Sequence, residues 1–527
     1  MNLPTIWQQL LSARSVPKYL LLTLDLAGRD PSPSGAAHLA LQPGALRYAT
    51  NLGAYVLSAS GRTVPFLPYL TTWPAIAQTL AIQDRTAEMA EPSFEILASS
   101  GLAATLRDRG GALGLTARVD LWCRRTTLEQ SIPLLAGVVT DAKVDRRTSG
   151  VTLTIADGDP NRAIPWPPGP ITLADFPEAP DSVIDVESRT TVSGGDPDNL
   201  QWINCIQIDR EGRRFYVCDP AGTSGPTIVE KDGEAIETGW HVEVRETSGP
   251  SLFEYREIVF DSPVSDLANG INPWIRAYGV IGITNVDPIS FYAQVAGLPL
   301  SPQAQASLAD YFADPRMRLQ IVNDQSGNAL DIIRTRLVPQ TPFAWTQHLG
   351  QADLIDLRTP ASGYKMGIGN GLLFRTTAQA AQTPSESVFN AFELLCGEAG
   401  SQYRIRRDKN YASAAIASLL TRSEQANGGR RFLQVPLPDV TVQMDENLSP
   451  IGCVAGEALA DMYARLHAVS HVSHTYQATW LDGLQAELGD YVLLTDSDED
   501  YDDQPTVIVG RAITATGPQL TFAMVEV

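Results

Sequence analysis

The sequence predicts a mainly β fold with α+β segments, divided among several domains. Three observations carry that prediction. Between Ala117 and Asp157 three short alternating runs follow one another. The chain holds 41 Gly and 36 Pro, which favours short strands and many turns over long helices. Its 527 residues exceed what one hydrophobic core organises, roughly 250–300 residues. With 44% hydrophobic and 19% charged residues, the composition is that of an ordinary globular chain.

In chain order, residues 4–12 read as a short helix with Pro4 near its start, and Tyr19–Leu26 as a strand. Tyr48–Ser58, Thr63–Leu70 and Ser93–Leu97 read as further short strands. Val119, Leu121 and Cys123 then alternate with Arg118, Asp120, Trp122 and Arg124, the period of a strand with one buried face. Leu135–Val139 is an apolar run containing Gly137, as at a bulge or a close backbone approach. Asp145–Gly150 is a polar turn, after which Val151, Leu153 and Ile155 alternate with Thr152 and Thr154. Three such strands form a meander whose edges need closure or cover. An all-β first domain over 1–163 follows from this. A Pro-rich linker over 164–200 comes next, because the four prolines of Ile164–Ile171 favour polyproline II.

A β-rich unit is expected over 201–270. Trp202–Asp209 and Arg213–Asp219 flank Glu211-Gly212, a hairpin signal, and Asp232-Gly233 marks a second hairpin within Thr227–Glu234. Trp240–Arg245 and Phe253–Phe260 add two strands. If Glu211-Gly212 is a two-residue turn, Ile208 faces Phe215, Ile206 faces Val217 and Cys205 faces Cys218. A disulfide is sterically open there, as are two reduced thiols packed side by side.

A mixed α+β unit is expected over 271–450. Ser301-Pro302 caps a helix bearing Ala304, Leu308, Tyr311 and Phe312. Thr383-Pro384-Ser385-Glu386 is a capping box leading into a helix with Val388, Ala391, Phe392 and Leu395, stopped by Gly397 and Gly400. Tyr403–Arg406 is a strand, with Asp408-Lys409-Asn410 as its hairpin tip. Over 451–527, a helix Glu457–His467 with Leu459, Met462 and Leu466 on one face leads into alternating Val472–Trp480. Leu488–Leu494, Val507–Ile513 and Leu520–Val527 complete the strands, with Gly489-Asp490 as the turn delivering the first of them.

These stretches carry a family resemblance. The basic-aromatic strand Arg118–Arg125, the Leu135–Val139 strand and the Gly150–Ile155 strand together resemble the first hub barrel of bacteriophage tail baseplate hub proteins, including those of gene-transfer agents. The 201–270 stretch is similar to the β-rich domain inserted in such proteins. The order of helix, alternating strand, Leu488-Gly489-Asp490-Tyr491-Val492, strand and glycine turn before a last strand looks like their terminal barrel. The resemblance implies hub-type β-barrels at both ends, with β-rich and mixed units between. It implies a structural protein of the virion tail tip, made in the bacterial host cytoplasm and serving host entry. Such a protein joins the tail tube to the fibre or spike around the DNA-ejection channel. The partners implied are two further copies in a homotrimer, the tail tube or distal tail protein, the tape measure protein, and the tail fibre or spike. No enzyme, cofactor, catalytic residue or metal ligand is implied. Two other readings stay open: a carbohydrate-active or cell-wall-degrading multidomain β-protein, and a contractile secretion-system spike subunit.

The remaining signals weigh on these readings. Sixty acidic against 39 basic residues leave a formal charge of −21, which argues against phosphate-driven nucleic-acid binding. It suits plain solubility, and also a conduit through which DNA slides without sticking. Met1–Pro4 lacks a basic start, so no signal peptide is expected, and no apolar run approaches the ~20 residues of a membrane span. Five scattered cysteines suit a reducing compartment. Asp496, Asp498 and Asp500 begin like a calcium loop, but Tyr501 and Val507 stand where an EF-hand needs Gly and Glu. The run Asp496–Asp503 is then a solvated hairpin tip or a looser calcium site. His467 and His471 have the spacing of a zinc pair on a helix, yet the strand expected from Val472 carries His474 out of register. Gly367-Ile368-Gly369-Asn370-Gly371 lacks the lysine of a phosphate loop and reads as a turn. Trp122 and Trp480 fall in expected strands, where core or interface is the common fate of the ring.

Overall fold

The computed structural model describes residues 5–12, 16–29, 38–50, 53–109, 111–145, 147–148, 150–158, 165–166, 169–194, 201–219, 225–247, 253–266, 271–280, 287–298, 300–323, 327–349, 351–358, 365–368, 371–376, 381–382, 387–397, 402–445, 449–468 and 471–524. The fold is mainly β, with 44% strand against 20% helix, and its sheets include a half-barrel. Two compact units are interleaved along the chain. Met1–Arg162, Phe343–Ser387 and Val469–Val527 make the first, and Ala163–Pro342 with Val388–Ala468 the second.

In the first unit the meander forms as its alternation predicts. Thr116–Cys123, Ile132–Val144 and Val151–Asp157 pair antiparallel. Lys18–Asp25 and Leu46–Ala49 extend the sheet on one side and Ser93–Ile96 on the other, making six strands. Backbone hydrogen bonds run from the segment 67–71 to both outer strands. Leu67 N–H donates to Arg47 O and Leu70 N–H to Ala49 O, while Thr71 N–H donates to Glu95 O. One face packs Leu20, Leu22, Val119, Leu121, Leu153 and Ile155 against Trp7 and Leu106 of two helices, Thr5–Ser12 and Leu102–Arg109.

The expectation of one buried face is corrected here, since every residue of Thr116–Cys123 is buried. The reason is a second layer. The hairpin of Ala54–Leu57 with Thr63–Phe66 lays Val56, Val64 and Phe66 over Tyr19, Leu21 and Trp122 on the opposite face. That hairpin also corrects the single strand expected over Tyr48–Ser58. Gly53, at φ +79°, separates two strands that belong to different sheets. Gly137 sits where a Cβ would overlap the Ala156 carbonyl oxygen, so the close approach read from the sequence is present.

A further sheet of the first unit has eleven strands among the described residues, drawn from all three of its segments. Tyr501–Thr514 is its spine, pairing with Tyr491–Asp496, Gly517–Met524 and Ile76–Ala81. Phe343–His348 joins through Thr86–Met89, and Val472–Ala478 pairs with Gly517–Met524. Trp480 does not end a strand as expected. Thr479 accepts the Asp482 N–H and starts a short helix, Trp480–Gln485. The last expected strand ends at Met524, its remaining residues lying outside the described set.

In the second unit, Ile203–Asn204, Ile275–Tyr278, Ile228–Lys231 and Glu234–Ala235 form one four-stranded sheet. Ile206–Gln207, Arg214–Cys218, Glu254–Phe260 and Trp240–Glu246 form another. Asp232 and Gly233 both take positive φ, +54° and +88°, as a two-residue hairpin turn requires, and Lys231 faces Glu234. The other hairpin is corrected. Ile206 faces Tyr216 and Gln207 faces Phe215, one residue away from the expected register. The cause is Asp209, whose carboxylate accepts the N–H groups of Gly212, Arg213 and Arg214 and holds a longer loop. The strand expected over Trp202–Asp209 is broken at Cys205, whose N–H bonds Ile275 O.

The predicted Ser301 cap holds, with Ala304 N–H donating to its hydroxyl at 3.0 Å at the head of the helix Pro302–Tyr311. The helix expected through Val388–Leu395 is corrected to a strand, Ala391–Cys396. It lies centrally between Tyr403–Arg407 and Phe432–Leu437. Thr383–Glu386, the expected capping box, lies outside the described residues. Asp408–Asn410 is not a hairpin tip; it leads towards an unanticipated helix, Ala414–Ala426. Pro165–Trp166 pairs with Gly327–Asn328 where polyproline II was expected, while Ile164, Pro167 and Pro168 lie outside the described residues.

Candidate functional site

The groups that chemistry would use are placed one by one by the strands around them. Asp496 ends one strand and Tyr501 begins the next, so Asp496–Asp503 is a hairpin tip. Three of its carboxylates are paired with cations. Arg375 pairs with both Asp496 and Asp498, and Lys365 pairs with Asp503. Tyr476 OH also donates to Asp496 at 2.9 Å. Burial pushes the Asp496 carboxyl up, but Arg375 and Tyr476 outweigh it and hold it below the usual carboxylate range.

The three histidines separate by environment. His467 ends the helix Val454–His467 in the second unit and stacks on Tyr463, with ring centroids 5.4 Å apart. His471 and His474 belong to the first unit. His471 Nδ1 lies 2.8 Å from Met524 O, and His474 Nε2 lies 2.9 Å from Tyr501 OH. Among the described residues no three His, Cys, Asp or Glu side chains come together as a metal site. Gly371 N–H closes a turn on Ile368 O, while Gly369 and Asn370 lie outside the described residues.

Three fully buried carboxylates are paired with arginines. Asp120 meets Arg118 at 2.9 and 3.0 Å, with His38 Nε2 at 3.3 Å. Glu257 lies between Arg214 and Arg245, at 2.9 and 2.6 Å. Asp439 accepts two bonds from Arg336 and one from Gln340. Each ties separate elements together, as a buried charge must be tied if it is not to destabilise the fold.

Two surface features stand apart from these networks. The first is aromatic and was missed in the sequence. Trp274, Arg276 and Tyr278 alternate outward from one sheet, whose opposite face packs Ile203, Val229, Ile275 and Ala277. Arg276 stacks between Trp202 and Trp274, 4.8 and 4.2 Å from their ring centroids. Glu230 pairs with Arg276, and Trp274 Nε1 donates to Asn204 at 2.9 Å. The period-2 spacing of Trp274, Arg276 and Tyr278 was the available signal. The second feature is apolar: Tyr55 and Leu57, 81% and 50% exposed, on the hairpin that covers one face of the six-stranded sheet. No described helix is long and apolar enough to cross a membrane. No family model matches the chain, and no curated protein matches it significantly.

Proposed function

We propose that the chain is a structural baseplate or tail-tip hub of a phage-like particle, assembled as a trimer that continues the tail tube to the fibre or spike. The observation that carries this reading is the six-stranded sheet. The meander that resembles the first hub barrel folds as consecutive antiparallel strands, and segment 67–71 hydrogen-bonds to both of its outer strands. In this reading that sheet and segment form the first hub barrel, and the C-terminal strands form the second. Exposed Tyr55 and Leu57 are suited to cover by a neighbouring copy. The net acidic charge suits a channel that releases DNA. Native mass measurement of the full-length chain tests the proposal. A threefold mass is expected, and a monomer at every concentration, or a sixfold assembly, would overturn it.

The stacked Trp202, Arg276 and Trp274 favour a second reading, contact with a glycan. Aromatic faces beside Asn204 and Glu230 offer stacking and hydrogen bonding to a pyranose ring. A Trp274→Ala chain that keeps its oligomeric mass but loses retention on a polysaccharide column supports that reading. Equal retention of both chains removes it.

A further inference from the structure

Two of the five cysteines meet at the start of one helix. Cys453 caps Val454–His467: its sulfur accepts the Gly456 N–H at 3.3 Å, and its thiol donates to Thr441 O at 3.4 Å. Cys396 ends the central strand Ala391–Cys396, on which that helix packs. Its sulfur and that of Cys453 both lie against Gly456. Gly456 makes the meeting possible, because both sulfurs lie within 3.0 Å of where a Cβ on residue 456 would stand. Both thiols are buried, and both are free.

The two sulfurs are not equivalent. The neighbouring Cys396 thiol draws the Cys453 thiol below its ordinary range against burial, which pushes it up, and the Gly456 N–H adds to the lowering. The aligned N–H groups of a 14-residue helix favour negative charge at the same point. The neighbouring Cys453 sulfur, then burial, push the Cys396 thiol up. One sulfur is therefore set up as nucleophile and the other as its protonated partner.

We propose that Cys396 and Cys453 form a reversible disulfide that locks the start of the Val454–His467 helix to the strand beneath it. With hydrogen peroxide as oxidant, the Cys453 thiolate attacks one peroxide oxygen and the O–O bond breaks. The hydroxide released takes up the thiol proton as water, and Cys453 becomes a sulfenic acid. The Cys396 sulfur then attacks the Cys453 sulfur, forming the S–S bond. The second hydroxide leaves with the Cys396 proton as water. Two thiols lose two electrons and two protons, and one peroxide becomes two waters. A dithiol reductant reverses the bond by exchange. Because both sulfurs are buried, the oxidant reaches them when the first helical turn opens, so the rate follows local opening.

Cys205 and Cys218 supply the contrast. They share a core cluster, but burial pushes both thiols up, Cys218 to about 12. The Cys205 thiol donates to Ile203 O at 3.6 Å. Neither caps a helix, and buried thiols of that kind stay inert.

The test treats the full-length protein with dilute hydrogen peroxide, alkylates it, and maps peptides without reduction. A linked Cys396–Cys453 peptide is expected, with no Cys205–Cys218 link, and dithiothreitol should reverse it. The melting temperature should rise by about 4–12 °C on oxidation. Cys396→Ser should leave a dimedone-reactive Cys453, and Gly456→Ala should lower the yield of the link. The wild-type map decides alone if those variants do not fold. Overoxidation of Cys453 without the linked peptide overturns the proposal. So do a link between other cysteines, and thiols that stay unreacted in urea sufficient to open the helix.

Discussion

Arg118 and Asp120 show what a single residue's surroundings decide. Their alternation with Val119 and Leu121 reads as a polar face turned to water, yet a second apolar layer covers that face. Asp120 is fully buried and survives there as an ion because Arg118 and His38 surround it. Asp120→Asn leaves the Arg118 guanidinium buried without its countercharge, and a loss of about 3–5 kcal/mol is expected in urea unfolding. Burial pushes the Asp120 carboxyl up, but Arg118 and then His38 outweigh it and bring it down to about 2. A carboxyl that is lower when folded than when unfolded stabilises the fold above the unfolded value, near 4. That contribution, about 2 kcal/mol, is lost as pH falls from there through 2. Acid unfolding followed by fluorescence checks this, and the Asp120→Asn variant should lack that part of the pH dependence.

At the scale of elements, turns were legible where their residues admit one geometry. Asp232-Gly233 supplies two positive-φ positions, and the hairpin formed in the register those residues dictate. Glu211-Gly212 admits more than one loop, and the Asp209 side chain chose the longer one. Asp209→Ala removes the acceptor of three N–H groups, and a loss of about 2–3 kcal/mol is expected by thermal or urea unfolding. A chain unchanged in stability would show that the loop holds its form without that carboxylate. Ala391–Cys396 was ambiguous for another reason. Ala391, Phe392 and Leu395 fit a helical stripe, but Phe392, Leu394 and Cys396 equally fit one face of a strand. Two flanking strands settled it, the antiparallel Tyr403–Arg407 and the parallel Phe432–Leu437.

For the whole molecule, one unit takes strands from three separated segments. The spine Tyr501–Thr514 pairs with Ile76–Ala81, so the last residues of the chain complete a sheet begun among the first. A fragment 1–162 therefore leaves Ile76–Ala81 without its outer neighbour, and an exposed strand edge promotes association. Aggregation of that fragment is expected, relieved by co-expression with 343–387 and 469–527, and a soluble monomeric fragment by light scattering would contradict it. By itself the sequence determined the β-rich class, the meander, the Asp232-Gly233 turn, the Ser301 cap and the helix ending at His467. All of these rest on periodicity or backbone preference within a few residues. Only the tertiary structure decided that Thr116–Cys123 is covered twice, that Trp202 reaches Arg276, and that Cys396 meets Cys453. Each depends on contacts between residues far apart in the chain, where pairing and burial outweigh local preference.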